Sequence, residues 1–305
     1  EEDAQWALWQ VLRSVVGATP GIWHDALLER WDNGTHQVCR RHLEVSNSSG
    51  GGWSLTRPLV VREFLDEDGI WDLEWLERLG PRTGSLEYFS DATLKPPLGL
   101  VPDKSGTLAE ILPLVREGNA KLATEMIIRR RPELLTSLPL AELERRFGKY
   151  FAPQRLGLTL TAPLFVGRRG RTDLHAEPIA NVALQMHGSK RWLLVDPAAW
   201  RSLRPRVSPN GRAYLASGLD PDSFLDHPCL DHVALGPRDL LFLPPFWWHR
   251  VDYHEDDDDD DVAIGVSLFH LRFGALLFHE YPRNLLFFLV LAPNILKELL
   301  GWKTQ

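Results

Sequence analysis

Two short segments far apart in the chain, His175-Ala176-Glu177 and Pro244-Pro245-Phe246-Trp247-Trp248-His249, carry side chains that make chemical sense only together. Alternate residues of a strand share a face, so a His-x-Glu triplet points both donors the same way while Ala176 points away. His249 follows Glu177 by 72 residues. The fold must therefore carry a distant strand end back against the triplet. Pro244-Pro245, directly after the apolar run Leu240-Leu241-Phe242-Leu243, ends one strand and fixes the turn that follows. Alone, the triplet is a frequent accident, and any one of the eleven histidines reads first as a hydrogen-bonded core or surface residue.

The pattern of apolar residues divides the chain. Residues 1–56 carry large apolar side chains at helical spacing (Trp6, Trp9, Leu12, then Leu27, Leu28, Trp31), followed by a Ser/Gly-rich connection at 47–52. Residues 57–150 read as mixed α/β: a short strand over 58–62, a helical stretch holding Trp71, Leu73, Trp75 and Leu76, and helices over 108–117 and 120–131. Over 151–270 short apolar runs separated by turn residues replace helical spacing, as in an antiparallel sandwich or barrel. The runs are 164–167, 181–186, 191–195, 240–243 and 262–268, with Gly188-Ser189 read as a hairpin turn. Residues 271–305 read as C-terminal helices interrupted at Pro293. The predicted class is mainly β with flanking helices.

Two imidazoles and one carboxylate suit ferrous iron. Bound on one face of an octahedron, they leave the opposite face for a substrate and dioxygen. With 305 residues the chain can bury a substantial core. Its formal charge of -7 argues against a general nucleic-acid binder, which needs a concentrated basic surface. Cys39 and Cys229 are too few and too far apart for a disulfide framework or a thiolate zinc site, and their redox state is not legible. The apolar segment 285–292 falls short of the roughly 20 residues a membrane span needs. It reads first as packing on the chain's own core and next as a homodimer interface. The compartment stays open between cytosol or nucleus and a secretory lumen, for which Asn33-Gly34-Thr35 and Asn47-Ser48-Ser49 offer glycosylation patterns.

His175-Ala176-Glu177, Asn181, Gly188, Lys190-Arg191-Trp192, Asp239 to Pro245 and Trp247-Trp248-His249, in this order and spacing, resemble the JmjC family of iron- and 2-oxoglutarate-dependent oxygenases. That resemblance is specific over 160–270, and nearest to its protein-hydroxylase branch. It implies a double-stranded β-helix (jelly-roll, cupin-like) core. His175, Glu177 and His249 would ligate Fe(II), Lys190 would hold the distal carboxylate of 2-oxoglutarate, Thr172 would add a hydroxyl to the same carboxylate, and Asn181 would act near the iron-bound end. Ser267 stands where many relatives place an asparagine near the co-substrate, which makes a shorter or water-mediated contact the expectation. The plain alternatives are a solvated strand lysine, a loop hydroxyl and a turn-forming asparagine.

Glutamate at 177, where the hydroxylases more often carry aspartate, resembles usage among histone demethylases. The expectation is hydroxylation of a protein side chain, with N-methyl-lysine demethylation second and a non-catalytic binding protein third. Trp192, Trp247 and Trp248 are candidates for apolar walls of the site, with Trp192 read as core. The acidic run 255–261 reads as a solvated loop, with steering of a basic peptide or loose calcium binding as alternatives. Arg168, Arg169 and Arg171 read as an exposed turn able to balance that charge or meet an acidic substrate.

Overall fold

Period-two alternation decides where nearly every strand residue of this protein goes. The computed structural model describes residues 43–47, 56–66, 71–90, 101–147, 162–200, 202–208, 212–219, 222–253, 262–270 and 283–299. The first part of the chain forms β1 (Glu44–Asn47), β2 (Leu59–Arg62), α1 (Leu73–Leu79), β3 (Ser85–Ser90), β4 (Lys104–Thr107), α2 (Leu108–Arg116), β5 (Ala120–Thr124), α3 (Met126–Arg130) and α4 (Leu140–Phe147). The second part forms β6 (Leu164–Gly167), β7 (His175–Ala176), β8 (Ala180–His187), β9 (Lys190–Val195), β10 (Pro205–Val207), β11 (Leu215–Ser217), β12 (Leu230–Leu235), β13 (Leu240–Leu243), β14 (Trp248–Asp252), β15 (Ala263–His270) and α5 (Arg283–Leu299).

The strands make two sheets. One runs β1-β2-β13-β8-β15-β6-β5-β3-β4, the other β10-β11-β7-β14-β9-β12. From β6 to β9 and again from β12 to β15, successive strands alternate between the sheets, which is the winding of a double-stranded β-helix. Apart from the parallel β1–β2 pair, neighbouring strands are antiparallel. The antiparallel sandwich or barrel expected from the short apolar runs, and the jelly-roll core that the resemblance implies, are met.

Three apolar clusters follow from the two faces of each sheet. Leu122, Leu164, Val166, Val182, Leu184, Leu240, Phe242, Ile264 and Val266 face outward from the large sheet onto Leu76, Ile111, Leu112 and Ile127 of the helices. Leu193, Val195 and Trp248 face outward from the small sheet onto Phe287 and Leu291 of α5. Ala183, Trp192, Leu194, Leu241, Leu243, Val251, Tyr253 and Ala263 fill the space between the sheets. The intervening positions Lys121, Asn181, Gln185, Lys190, His249 and Ser267 share that inner face by alternation, and all six are buried.

Three expectations are corrected. The helix expected over 120–131 is a strand followed by a short helix. Lys121 to Thr124 pair with β6, and tertiary pairing overrides the local helical propensity of Ala-Lys-Leu-Ala. Gly188-Ser189 does not close a hairpin: β8 pairs with β13 and β15, and β9 with β12 and β14, so the turn crosses from one sheet to the other. Pro293 does not divide the C-terminal helix, since α5 runs through it. Pro293 and Leu289 lie on the exposed side, where a carbonyl that loses its helical partner to proline is open to solvent.

The 1–42 helices, the Ser/Gly run after Asn47 and the acidic run 255–261 lie outside the described residues. Cys229 is disulfide-bonded. Among the described residues no helix is long and apolar enough to cross a membrane.

Candidate metal centre and the pocket beside it

β7 is two residues long, yet it seats the first half of the split motif. His175 stands opposite His249 of β14 in the ladder, and their ring centroids are 4.2 Å apart. Glu177 follows one residue beyond the strand. One donor atom from each of His175, Glu177 and His249 lies within 4.8 Å of the other two. That separation suits three ligands around one ion. The turn after β13 is held from the triplet's side, for the Phe246 backbone N–H donates to the Glu177 carbonyl at 2.7 Å. Phe246 is fully buried and adopts φ +64°, a costly conformation for a non-glycine residue that its surroundings must enforce.

Both imidazoles are prepared as neutral ligands. His175 Nδ1 lies 2.7 Å from the Asp173 carbonyl and His249 Nδ1 lies 3.0 Å from that of Trp247. A carbonyl only accepts, so Nδ1 carries the proton in each ring and Nε2 keeps a lone pair. Burial lowers the His175 pKa, partly opposed by the Asp173 carbonyl, and burial together with the nearby His175 holds His249 well below the usual range. Such carbonyl contacts fix ring orientation in metal sites.

The predicted co-substrate residues surround the same inner space. Lys190 begins β9, the neighbour of β14, and donates to the Phe165 carbonyl at 3.3 Å. Burial, and then the charge of Lys121, lower its pKa to about 7. A Cβ on Gly265 would lie 2.9 Å from Lys190 Nζ and 3.1 Å from the Leu184 carbonyl oxygen, so a larger residue would crowd the ammonium. Asn181 is buried, and among the described residues its Oδ1 accepts no hydrogen bond. Ser267, buried, pairs with Ala183 across the ladder. The Thr172 hydroxyl accepts from the Val251 N–H at 2.9 Å, which leaves its own proton to donate.

Several neighbours escaped the sequence reading. Lys121 and Tyr253 stand on the inner face beside Lys190, and reading 120–131 as a helix hid the side to which Lys121 points. Trp192, read as core, is buried but also stacks on His249 with ring centroids 5.6 Å apart. Trp247 belongs to the inner cluster, whereas Trp248 faces outward and forms no wall of the site. The arginines before the motif have local partners: Arg168 donates to the Arg116 carbonyl at 3.0 Å, and Arg171 pairs with Asp222 at 2.7 Å. Arg169 is exposed.

The donor set fits a divalent ion, and the buried Lys190 ammonium fits an anionic co-ligand. Residues 95–273 match the family model described as a cupin-like domain. Jumonji C domain-containing protein 5 of Drosophila melanogaster is 36% identical over 26% of this chain and 21% of its own length. tRNA wybutosine-synthesizing protein 4 of Gibberella zeae is 31% identical over 38% of this chain and 11% of its own length. The chain thus spans well under two thirds of either relative. With its two-sheet winding and its His–Glu–His cluster, this chain belongs to the cupin-like family, of the JmjC type.

Proposed function

We propose that this protein is an Fe(II)- and 2-oxoglutarate-dependent dioxygenase that hydroxylates a protein side chain and releases succinate and carbon dioxide. The observation that carries the reading is the convergence of His175, Glu177 and His249 donors within 4.8 Å in an interior that also holds the buried Lys190 ammonium. When bound, iron with 2-oxoglutarate and dioxygen supplies an oxidant strong enough for a C–H bond.

The chain's own residues position and protect. His175, Glu177 and His249 would hold the metal on one side, with the two Nδ1–H groups locked on carbonyls so that neither ring turns away. Lys190 would neutralise the distal carboxylate, and the Thr172 hydroxyl would donate to it. Asn181 would act near the metal-bound end, where its amide N–H group is the one able to donate to a ligand oxygen, with Ser267 nearby on the same face. Trp192 and Trp247 exclude water from the inner space, which strengthens every electrostatic contact made there.

N-methyl-lysine demethylation is the second reading, favoured by the longer carboxylate arm of Glu177. It proceeds through the same oxygen insertion, so the two differ only in product: the target gains an oxygen atom or loses a methyl group. The relative named for tRNA wybutosine synthesis raises nucleic acid as a target, but a formal charge of -7 opposes that partner. Fe(II)-dependent release of succinate from 2-oxoglutarate, followed by mass spectrometry of a protein substrate pool, tests the proposal. Iron bound without succinate release would favour the non-catalytic binding protein instead.

A further inference from the structure

The inner space holds two lysines, one from each sheet, and they face the same aromatic ring. Lys121 Nζ lies 5.7 Å and Lys190 Nζ 5.0 Å from the centroid of Tyr253. Each side chain is 4% exposed or less as a residue. Among the described residues each ammonium donates one hydrogen bond, Lys121 to the Arg171 carbonyl at 3.2 Å and Lys190 to the Phe165 carbonyl at 3.3 Å. Neither has a carboxylate within ion-pair distance there. A buried ammonium without a counter-charge costs several kcal/mol, and two of one sign in one pocket cost more.

The backbone makes room for both. Gly167 pairs with Lys121 across the ladder, and a Cβ on it would lie 3.0 Å from the Tyr253 ring and 3.2 Å from Lys121 Cγ. Gly265 does the same for Lys190. Two glycines at inner-face positions thus stand beside two buried lysines that, among the described residues, have no carboxylate within ion-pair distance. Burial lowers the Lys121 pKa to about 8, with Asp173 opposing, in keeping with an ammonium that lacks its partner.

We propose that Lys121 is a second cation of the co-substrate pocket, acting with Lys190 on the distal carboxylate and thereby selecting a 2-oxo dicarboxylate over a 2-oxo acid with an uncharged tail. The inference rests on the dioxygenase reading above and adds a binding residue to it. The alternative is a strut: Lys121 also lies over Phe89 at 5.1 Å, and packing plus the Arg171 bond would suffice to keep it in place.

Calorimetric titration of the Mn(II)-loaded protein with 2-oxoglutarate and with 2-oxopentanoate separates these. Lys121→Met should weaken 2-oxoglutarate roughly 10- to 100-fold, the worth of a hydrogen bond to a charged group. Binding of 2-oxopentanoate should stay within about twofold, because that ligand has no distal charge to lose. Lys121→Arg should recover most of the preference. An unchanged preference in Lys121→Met overturns the inference. Lys190→Met distinguishes the levels: if it loses the preference while Lys121→Met keeps it, only the second cation is wrong, and if both keep it the co-substrate reading falls too. Should Lys121→Met fold poorly, Lys121→Gln, which retains a donor for the Arg171 carbonyl, is read in the same way.

Discussion

The backbone N–H of Phe246 donates to the carbonyl of Glu177 at 2.7 Å, so the two halves of the split motif are joined through main chain before any ion arrives. His249 is further fixed by the pairing of β14 with β7 and β9. His249→Ala should therefore remove a ligand and leave the scaffold standing. Metal affinity should fall by more than the roughly 10- to 100-fold typical of losing a supporting residue. Loss of the buried ring, which stacks on Trp192, should cost about 1–3 kcal/mol of stability. Metal content after dialysis and a denaturant titration read the two effects. Stoichiometric iron in the variant would remove His249 from the triad.

Lys190 and Lys121 make ligand binding depend on pH in a definite direction. Their folded-state pKa values, about 7 and about 8, lie below the ordinary 10.5 because burial disfavours the charged form. In the ligand-free protein both ammoniums lose protons as pH rises from 7 to 9, while a bound dicarboxylate restores them. Affinity for 2-oxoglutarate should accordingly fall over that range, and binding at pH 8 should take up protons. Calorimetry in two buffers of different ionisation enthalpy measures the uptake. No uptake would show that the lysines do not meet the ligand.

The same depression has a consequence for folding with the opposite slope. Between about pH 7 and 10.5 the unfolded chain binds more protons than the folded one, so the ligand-free protein should gain stability as pH rises through that window and lose it as pH falls toward 7. Each lysine contributes at most roughly 1.4 kcal/mol per pH unit. Denaturant titrations of the wild type and of Lys190→Met at pH 7 and 9 isolate the term, because the variant should show a shallower slope. Equal slopes would mean that Lys190 is charged alike in both states.

Much of this could be read from residues because the two relevant periods are simple. The inner-face placement of His175 and Glu177 follows from strand alternation, and the distance of His249 in sequence demanded a fold that returns. What was missed has physical causes. Ala120 to Thr124 has the composition of a helix, and only pairing with β6 makes it a strand, so the inward aim of Lys121 was invisible. Gly188-Ser189 has the chemistry of a hairpin turn, and nothing local says that the strands it joins belong to different sheets. Pro293 breaks helices in general, but here its missing hydrogen bond falls on the exposed side of α5.

Gly188 is the residue on which that crossing depends. Its φ is +57°, and a Cβ there would lie 2.8 Å from the Val262 carbonyl oxygen and 3.0 Å from Ala263 Cα. Both obstacles are backbone of the adjoining strand and cannot swing aside. Gly188→Ala should therefore destabilise the protein by about 1–3 kcal/mol through combined strain and crowding. The same change at Gly80, where no atom lies within 4 Å of an added Cβ, should be nearly neutral. Similar denaturation midpoints for the two variants would contradict the crowding argument.

Arg250 and Asp252 stand on the outward face of β14, next to His249 but turned away from the metal centre. Their side chains are 4% and 2% exposed, and two hydrogen bonds of 2.5 and 2.9 Å join them. Arg250 also reaches Asp222 at 3.0 Å and lies over the Phe224 ring at 5.6 Å. Arg250→Leu would leave Asp252 buried with, among the described residues, only Arg191 as a paired cation, at 3.1 Å. Removing one partner of a buried pair costs about 3–5 kcal/mol, less whatever the half-exposed Arg191 recovers, whereas replacing both partners by apolar residues is often close to neutral. Arg250→Leu should thus be much less stable than the double variant Arg250→Leu/Asp252→Leu, and metal affinity should change little in either. If the double variant is the less stable of the two, the pair is worth more than its desolvation. A parallel loss of metal affinity would instead show that this outward network sets the position of His249.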